Sequence, residues 1–208
     1  MTTVTGRDIL RLNAGQFAAA QQTLEHAFFD YPLMVYACPD ERLRRRGVFS
    51  LYTAILHDAQ RYGEIYTTPS VDGITCWLPP GVPLPTFWRE LRAGLLGLPF
   101  TFGWKAFRCL LEYGQWHTKL HQEFMHGPHW FLATIGVDPA SQGKGVGSAL
   151  LEAMTVRADQ QKLPCYLETH GEKSARLYER HGFETVRLFE VPGHSVPVWA
   201  MLRPARTA

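Results

Sequence analysis

The sequence predicts an α/β fold, because short apolar strands alternate with amphipathic helices in both halves of the chain. The clearest strand runs from Trp130 to Val137, and Asp138-Pro139 ends it by removing a ladder donor. Beyond a glycine-rich turn, apolar residues recur at helical spacing, at Val146, Leu150, Ala153, Met154 and Ala158. A second strand follows at Cys165 to Thr169 and a second helix at Glu172 to His181. At 208 residues the chain is long enough for a sizeable core, and we expect residues 1–208 to form a single domain.

The first half of the chain supplies a strand, two helices and a hairpin, each bounded by residues that start or break such elements. The elements predicted there are a strand at Ile9 to Leu12, a helix that Asn13 caps and that carries Phe17, Gln21, Leu24 and Phe28, a break at Asp30 to Leu33, a second helix from Asp40 to Gln60, and strands at Glu64 to Thr67 and Gly73 to Leu78. The basic run Arg42 to Arg46 is expected to form a solvated face of the second helix.

A long aromatic segment, residues 83–128, separates this hairpin from the strand at Trp130, and its pattern is helical. Its rings are Phe87, Trp88, Phe100, Phe102, Trp104, Phe107, Tyr113, Trp116 and Phe124. One interpretation is a flap that forms, with residues 25–33, the wall of an apolar acceptor pocket, so that exposed rings such as Trp88 or Trp116 contact the acceptor. The other, favoured for most of the rings, is a pair of amphipathic helices, joined around residues 94–103, that pack on the sheet. Contact with a membrane surface is a third alternative with weak support.

Gly143, Gly145 and Gly147 lie where the helix after the first strand has to begin, and this arrangement predicts an anion cradle. Backbone N–H groups in the first helical turn lack intrahelical partners, and without Cβ atoms a pyrophosphate can approach them closely. A P-loop is excluded because Lys144 is followed by a glycine rather than by a hydroxyl residue. A dinucleotide fingerprint is excluded because Leu150 stands where its third glycine is required.

The pattern Gln142-x-x-Gly145-x-Gly147 resembles the acyl-CoA pyrophosphate loop of the GNAT superfamily, the acetyl-CoA-dependent N-acetyltransferases. A second segment, Leu163 to Glu184, resembles the second signature of that family, with a Tyr-x-x-x-Gly-Phe motif that begins at Tyr178. It looks like the small-amine and antibiotic-modifying branch. The resemblance implies a mixed, largely antiparallel central sheet with helices on both faces, to which the aromatic segment adds a helical insertion.

The resemblance also implies acetyl-CoA as co-substrate and no metal. The sequence departs from the family at Gly171, where many members carry an asparagine that reaches toward the cofactor. Ser174, on the same helix face as Tyr178, or His170 would supply a polar group there. The residues expected to contact acetyl-CoA are Ile135, Gly136, Val137, Gln142, Gly143, Lys144, Gly145, Val146, Gly147, Ser148 and Ser174.

In such an enzyme the amine attacks the thioester directly within a ternary complex. Tyr178 is expected to donate a proton to the departing thiolate, and a main-chain N–H between Ile135 and Val137 to stabilise the thioester oxygen. We take Glu168 as the general base, because its strand ends beside the expected thioester; its alternative role is that of a structural hydrogen-bond acceptor. Other candidates for the base are three residues of the N-terminal helices, Glu25, His26 and Asp30.

Composition excludes several other classes of protein. The net charge of +2 gives no indication of a nucleic-acid partner. The most apolar stretch, residues 93–111, contains Lys105 and Arg108, so no membrane span is expected. The cysteines at 38, 76, 109 and 165 lack Cys-x-x-Cys pairing and stand in apolar contexts, and with no signal-peptide pattern they indicate reduced thiols in a cytoplasmic protein.

Two pairs of histidines, His117 with His121 and His126 with His129, raise the question of a metal site. No carboxylate or cysteine completes either pair at a recognisable spacing, so no metal is expected.

The function expected is transfer of an acetyl group from acetyl-CoA to the primary amine of a small molecule. Acetylation of a protein or peptide amine and a non-catalytic acyl-CoA-binding module are the alternatives, and a homodimer is left open.

Overall fold

The computed structural model describes residues 2–4, 7–84, 89, 94, 97–190 and 196–205. Its described strands form one sheet in the order β1-β2-β3-β4-β5-β6-β8-β7. The strands are β1 (Thr2–Val4), β2 (Arg7–Arg11), β3 (Glu64–Thr67), β4 (Gly73–Leu78), β5 (Trp130–Val137), β6 (Cys165–Thr169), β7 (Glu184–Glu190) and β8 (Pro197–Arg203). Neighbours in the sheet are antiparallel except β5 and β6, which are parallel. The mixed, largely antiparallel sheet implied by the family resemblance is confirmed.

Helices cover both faces of this sheet, as expected. They are α1 (Phe17–Phe28), α2 (Pro32–Ala37), α3 (Glu41–Tyr62), α4 (Leu98–Phe102), α5 (Trp104–Phe124), α6 (Val146–Gln160) and α7 (Glu172–Arg180). On one face, buried residues of α1 to α5 pack against Ile74 and Cys76 of β4. On the other face, α6 and α7 pack against Trp77, Trp130 and Leu167. Side chains that alternate along each strand therefore pack into two separate apolar cores, one on each face of the sheet.

The predicted strand bounds agree with the structure for β3, β4, β5 and β6, whereas two helices near prolines differ from the prediction. The sequence predicts a helix break at Pro32, but this residue is the first of α2. It predicts a connection at Pro99, but this residue lies in the first turn of α4. Both differences have one cause, because proline is accepted in the first helical turn, where its missing N–H has no helical partner to lose.

The basic run Arg42 to Arg46 lies in the first turns of α3, and the expectation of a solvated face is wrong for Arg44. That side chain is buried. Its guanidinium donates hydrogen bonds of 3.0 Å to the main-chain carbonyls of Phe29, Cys38 and Pro39. Arg44 therefore ties α3 to the loops before it, since several carbonyl acceptors compensate the burial of its charge.

The aromatic insertion divides its rings between core and surface. Phe102 and Tyr113 are buried, whereas Phe100 is 89% exposed and Trp104 70% exposed. Phe87 and Trp88 lie outside the described residues. The structure thus supports core packing for some rings only. No helix in the described ranges is long and apolar enough to cross a membrane.

The strands β5 and β6 separate after a short paired stretch. Their parallel pairing is limited to Trp130 with Cys165 and Phe131 with Tyr166. The register between β4 and β5 then skips Ala133, which marks a β-bulge. Beyond the bulge β5 continues to Val137 without pairing to β6, and a wedge opens between the two strands.

Candidate functional site

The loop between β5 and α6 is held in shape by polar side chains at both ends. The Ala140 N–H donates to Oδ1 of Asp138 at 2.9 Å, and the side-chain amide of Gln142 donates to the carbonyl of Val137 at 3.1 Å. Arg7 donates to the carbonyl of Lys144 at 2.9 Å. Gln142 therefore fastens the loop to the end of the strand.

Two of the three loop glycines have backbone conformations that favour glycine. Gly143 has a φ of 76° and Gly145 a φ of 82°, and a Cβ atom at either position would meet nothing within 4 Å. Gly145 is the N-cap of α6, so its N–H and those of Val146, Gly147 and Ser148 have no partner inside the helix. Open space beside several unpaired N–H donors at a positive helix end fits a pyrophosphate.

Gly147 has a different role from the one expected for its missing Cβ. It is the only one of the three glycines within the first turn of α6. A Cβ atom at Gly147 would lie 3.4 Å from Cδ2 of Leu177 and 3.7 Å from Cγ2 of Val137, so it would face the protein at ordinary contact distance. Any contribution of Gly147 to anion binding therefore comes from its N–H.

The three residues of β5 that were expected to contact acetyl-CoA have different surroundings. Ile135 lines the main cavity. Gly136 instead lies under α1, because a Cβ atom there would be 2.7 Å from Cδ2 of Leu24 and 3.0 Å from Cε2 of Phe28. Gly136 thus allows α1 to pack closely on the sheet, and only its main chain remains for a cofactor. Val137 packs with the apolar residues beneath α6.

A cavity of about 570 Å³ begins in the wedge between β5 and β6 and extends under helices α1 to α5. From the wedge it is lined by Leu132, Ala133, Thr134, Ile135, Leu167, Glu168, Thr169, His170, Ser174 and Tyr178. Its far walls are apolar and come from α1 to α5, with Phe28, Leu33, Met34, Leu51, Tyr52, Ile55, Leu98, Phe107, Leu110 and Leu111 among them. A chamber of this size and composition is typical of a site for a small organic molecule.

Tyr178 and Ser174 both line this cavity, in agreement with their expected common face on α7. Tyr178 is buried, and its ring packs edge-on against Phe183 with centroids 5.8 Å apart. Burial raises the pKa of the Tyr178 phenol, because the charged phenolate is poorly solvated there. The hydroxyl therefore keeps its proton, as a hydrogen-bond or proton donor must.

Glu168 lies in the cavity wall between two partners. The hydroxyl of Tyr166 donates to its Oε1 at 2.6 Å. Its other oxygen, Oε2, is in ion-pair contact with Nε2 of His117, although this contact lacks the directionality of a hydrogen bond. The Glu168 side chain is 0% exposed, whereas that of His117 is 27% exposed.

A second polar cluster joins His170 to two tyrosines. Its backbone N–H donates to the hydroxyl oxygen of Tyr31 at 3.0 Å, and Nδ1 lies 2.7 Å from that same oxygen. Nε2 contacts the hydroxyl of Tyr113. Burial lowers the pKa of His170 to about 3, so the ring is neutral. In the neutral ring one nitrogen accepts from its tyrosine hydroxyl and the other donates to its own.

The alternative bases on the N-terminal helices are placed elsewhere, and none of them is among the cavity-lining residues. Glu25 accepts from Arg45 at 2.7 Å, and His26 lies 2.9 Å from a carboxylate oxygen of Asp138. The Asp30 side chain is 84% exposed. Trp116, proposed from its exposure to contact an acceptor, is also absent from the lining.

The histidines do not assemble as the metal pairs considered from the sequence. His117 contacts Glu168, whereas Nε2 of His121 lies 2.7 Å from Nε2 of His129. Burial lowers the pKa of His121 to about 3. Within the described ranges no three His, Cys, Asp or Glu side chains are grouped to hold a metal ion. All four cysteines are free, and three of them are buried.

Sequence reasoning missed His117, Tyr113 and Tyr31 as residues of this site. Tyr113 and His117 stand four residues apart, so they share one face of α5, and both line the cavity. That spacing was the signal available in the sequence, but it is equally typical of a helix that packs in a core. What the sequence lacked was the face of the sheet on which α5 packs.

Comparisons with known proteins agree with this architecture. The model of the acetyltransferase (GNAT) domain family matches residues 109–185, from within α5 to the start of β7. An uncharacterised N-acetyltransferase of Schizosaccharomyces pombe is 26% identical over an alignment of 185 residues, and the match covers 81% of this chain and 71% of that protein.

Two solved structures share the fold over nearly their whole length. The histone acetyltransferase HPA2 and related acetyltransferase from Corynebacterium glutamicum has a TM-score of 0.71 at 22% identity, covering 97% of this chain and 98% of its own. Arylalkylamine N-acetyltransferase 2 from Aedes aegypti has a TM-score of 0.58 at 15% identity, covering 96% of this chain and 99% of its own.

Proposed function

The chain belongs to the GNAT superfamily of acetyltransferases and is an acyltransferase, and from this premise we propose that it moves the acetyl group of acetyl-CoA to the primary amine of a small molecule. The observation that carries the proposal is the cavity of about 570 Å³, which reaches from the wedge beside Tyr178 into an apolar chamber under the aromatic insertion. A cavity of this volume with largely apolar walls suits the body of a small organic acceptor.

The walls of the chamber favour an acceptor whose body is apolar. Asp58 is a charged residue at its far end, and that carboxylate is held by Arg89 through bonds of 2.5 and 2.6 Å. A neutralised carboxylate offers little attraction for a second cation of a polyamine. An alkyl or aryl amine would instead bury its body against residues such as Met34, Ile55 and Leu110. The fold shared with an arylalkylamine N-acetyltransferase is consistent with this class of acceptor.

For acetyl-CoA, we propose that the pyrophosphate binds the N–H groups of Gly143 to Ser148 and that the pantetheine arm follows the wedge along Ile135 to Val137. Bound there, acetyl-CoA supplies an activated acetyl group with a thiolate as leaving group. Tyr178 donates its proton to that thiolate, and a main-chain N–H of the same strand segment stabilises the thioester oxygen.

The amine has to lose a proton before it attacks, because alkyl ammonium groups with a pKa near ~10 are mostly protonated at neutral pH. Glu168 supplies the negative charge that favours this proton transfer. Its side chain is fully buried behind His117, however, so it acts on the amine only through another group.

We propose that the enzyme is located in the cytoplasm, which the four free cysteines support.

A panel of amines tests the proposal through release of free CoA thiol. We expect saturable turnover with phenylalkyl and alkyl primary amines of moderate size, and much slower turnover with polyamines of similar length. Preferential acetylation of peptide amines would favour the alternative of a protein acetyltransferase. Thiol release that is independent of every amine would contradict transfer to an amine altogether.

A further inference from the structure

We propose that His117, carried by the helical insertion, is the catalytic base that takes the proton from the acceptor amine, and that Glu168 is the positioning residue behind it. The inference rests on the proposed function and adds to it the group that touches the amine. Its basis is the contact between His117 and Glu168 at the point where the wedge meets the apolar chamber.

The exposed surface of the two side chains shows which of them a ligand in the cavity can reach. Glu168 has no exposed side-chain surface, and both of its oxygens are already in contact with Tyr166 and His117. The His117 side chain keeps 27% of its surface exposed and lines the cavity. A ligand in the chamber therefore meets the imidazole first, and the carboxylate only through it.

The contact also favours one nitrogen of His117 as the proton acceptor. Nε2 lies against the carboxylate oxygen of Glu168, and the negative charge there favours the neutral tautomer that carries its proton on Nε2, although the contact is not a directed hydrogen bond. Nδ1 is then the nitrogen with an available lone pair, and no hydrogen bond to Nδ1 is formed by the described residues. A buried carboxylate that orients an imidazole in this way also stabilises the imidazolium that forms.

Other titratable groups in the wall are unsuited to this role. His170 has both ring nitrogens engaged by tyrosine hydroxyls, and burial lowers its pKa to about 3. The burial of Tyr178 keeps its phenol protonated, which makes it a donor instead. Neither His170 nor Tyr178 therefore competes with His117 for the role of base.

The proton transfers balance with these two residues alone. Nδ1 of His117 takes one proton from the ammonium group, and the neutral nitrogen then attacks the thioester carbonyl. The C–N bond forms and the C–S bond breaks, with the electron pair going to sulfur. Tyr178 gives its proton to the thiolate and regains one from the amide nitrogen, and His117 releases its proton to solvent.

Several titratable groups face His117 and will shape its pH dependence. Glu168 and Tyr166 face it from β6, and His170 lies just beyond that strand. Tyr113 and His121 are its neighbours on α5. Of these, Glu168 is the carboxylate that directly contacts the ring.

The test is a pH profile of kcat/KM with a small apolar amine for His117→Gln, Glu168→Gln and the wild type. His117→Gln should lose about a hundredfold in kcat with acetyl-CoA affinity unchanged, and added imidazole should restore part of the rate of His117→Ala, which leaves room for it. Glu168→Gln, which still accepts the Tyr166 hydrogen bond, should be less impaired. Its acid limb should move to lower pH because the imidazolium has lost its counter-charge.

His126→Gln is the matched control, since that histidine is exposed just beyond α5, and it should keep the wild-type profile. The inference is overturned if His117→Gln retains the wild-type kcat and acid limb, or if imidazole gives no rescue while Glu168→Gln leaves the limb in place. Such a result leaves the proposed function intact, because wild-type turnover of the amine is measured in the same experiment.

Discussion

At the scale of single residues, Tyr178 shows how a motif identifies a position and the fold supplies its chemistry. The sequence motif marked the tyrosine, but only the structure buries its hydroxyl in the cavity and raises its pKa. His117 illustrates the reverse case. The role proposed for it depends on a contact between residues 51 positions apart in the chain, and no local pattern encodes that contact. The sequence names Glu168 as a candidate base, but it does not show that this side chain is buried behind His117.

Replacement of Tyr178 by Phe removes one oxygen and leaves the ring that packs on Phe183. Acetyl-CoA affinity, measured by calorimetry, should therefore stay the same, whereas kcat should fall by about a hundredfold because the proton donor is lost. The conserved affinity is the internal control for an intact fold. An unaltered maximal rate at saturating substrates would remove Tyr178 from the role of acid.

At the scale of elements, the proposed function assigns acetyl-CoA to the loop before α6 and the amine to the wall formed by α5. The loop could be predicted from its glycines, and the bounds of β5 and β6 from their apolar runs. The short helices α2 and α4 were missed because proline at a helix start resembles a break. The path of α5 over the chamber is set by tertiary packing, which periodicity alone does not specify.

For the loop, Gly145→Asn should weaken acetyl-CoA binding by at least about tenfold, since each charge-assisted hydrogen bond contributes about 1.5–3 kcal/mol. Asparagine tolerates the positive φ of this position better than other side chains, and its atoms would occupy the space left for the pyrophosphate. Gly147→Ala is the control, because its Cβ would face Leu177 and Val137. Equal binding by both variants and the wild type in calorimetry would show that the cradle is misassigned.

For the wall, Leu111→Ala should raise the KM of an apolar amine severalfold, because Leu111 lines the chamber and is still partly exposed. Acetyl-CoA affinity and Tm should change little. Phe100→Ala, at a ring that lies outside the chamber, should leave all three quantities unchanged. If Leu111→Ala lowers Tm sharply and spares the amine KM, the insertion serves as core and the acceptor binds elsewhere.

At the scale of the whole molecule, two buried neutral histidines link stability to pH. The pKa of His121 and that of His170 are each lowered by burial from an ordinary 6.5 to about 3. Between these values the unfolded chain binds protons that the folded chain does not. The free energy of unfolding should therefore be highest above pH 6.5 and fall as the pH is lowered toward 3, by up to about 1.4 kcal/mol per pH unit for each histidine.

Urea unfolding between neutral and mildly acidic pH measures how the free energy of unfolding changes with pH. His121→Gln should reduce this slope by the contribution of one histidine. His126→Gln, at an exposed position, should leave the slope unchanged. A slope that is the same in His121→Gln and in the wild type would show that His121 takes up its proton in the folded state.

The central claim is that acetyl-CoA in the wedge and a small apolar amine in the chamber occupy the protein together, so that the acetyl group passes between them directly. A matrix of initial rates over both substrate concentrations tests it most directly. We expect double-reciprocal lines that intersect, with saturation by each substrate. Parallel lines, which indicate an acetylated enzyme, or a rate that does not depend on the amine would contradict the account.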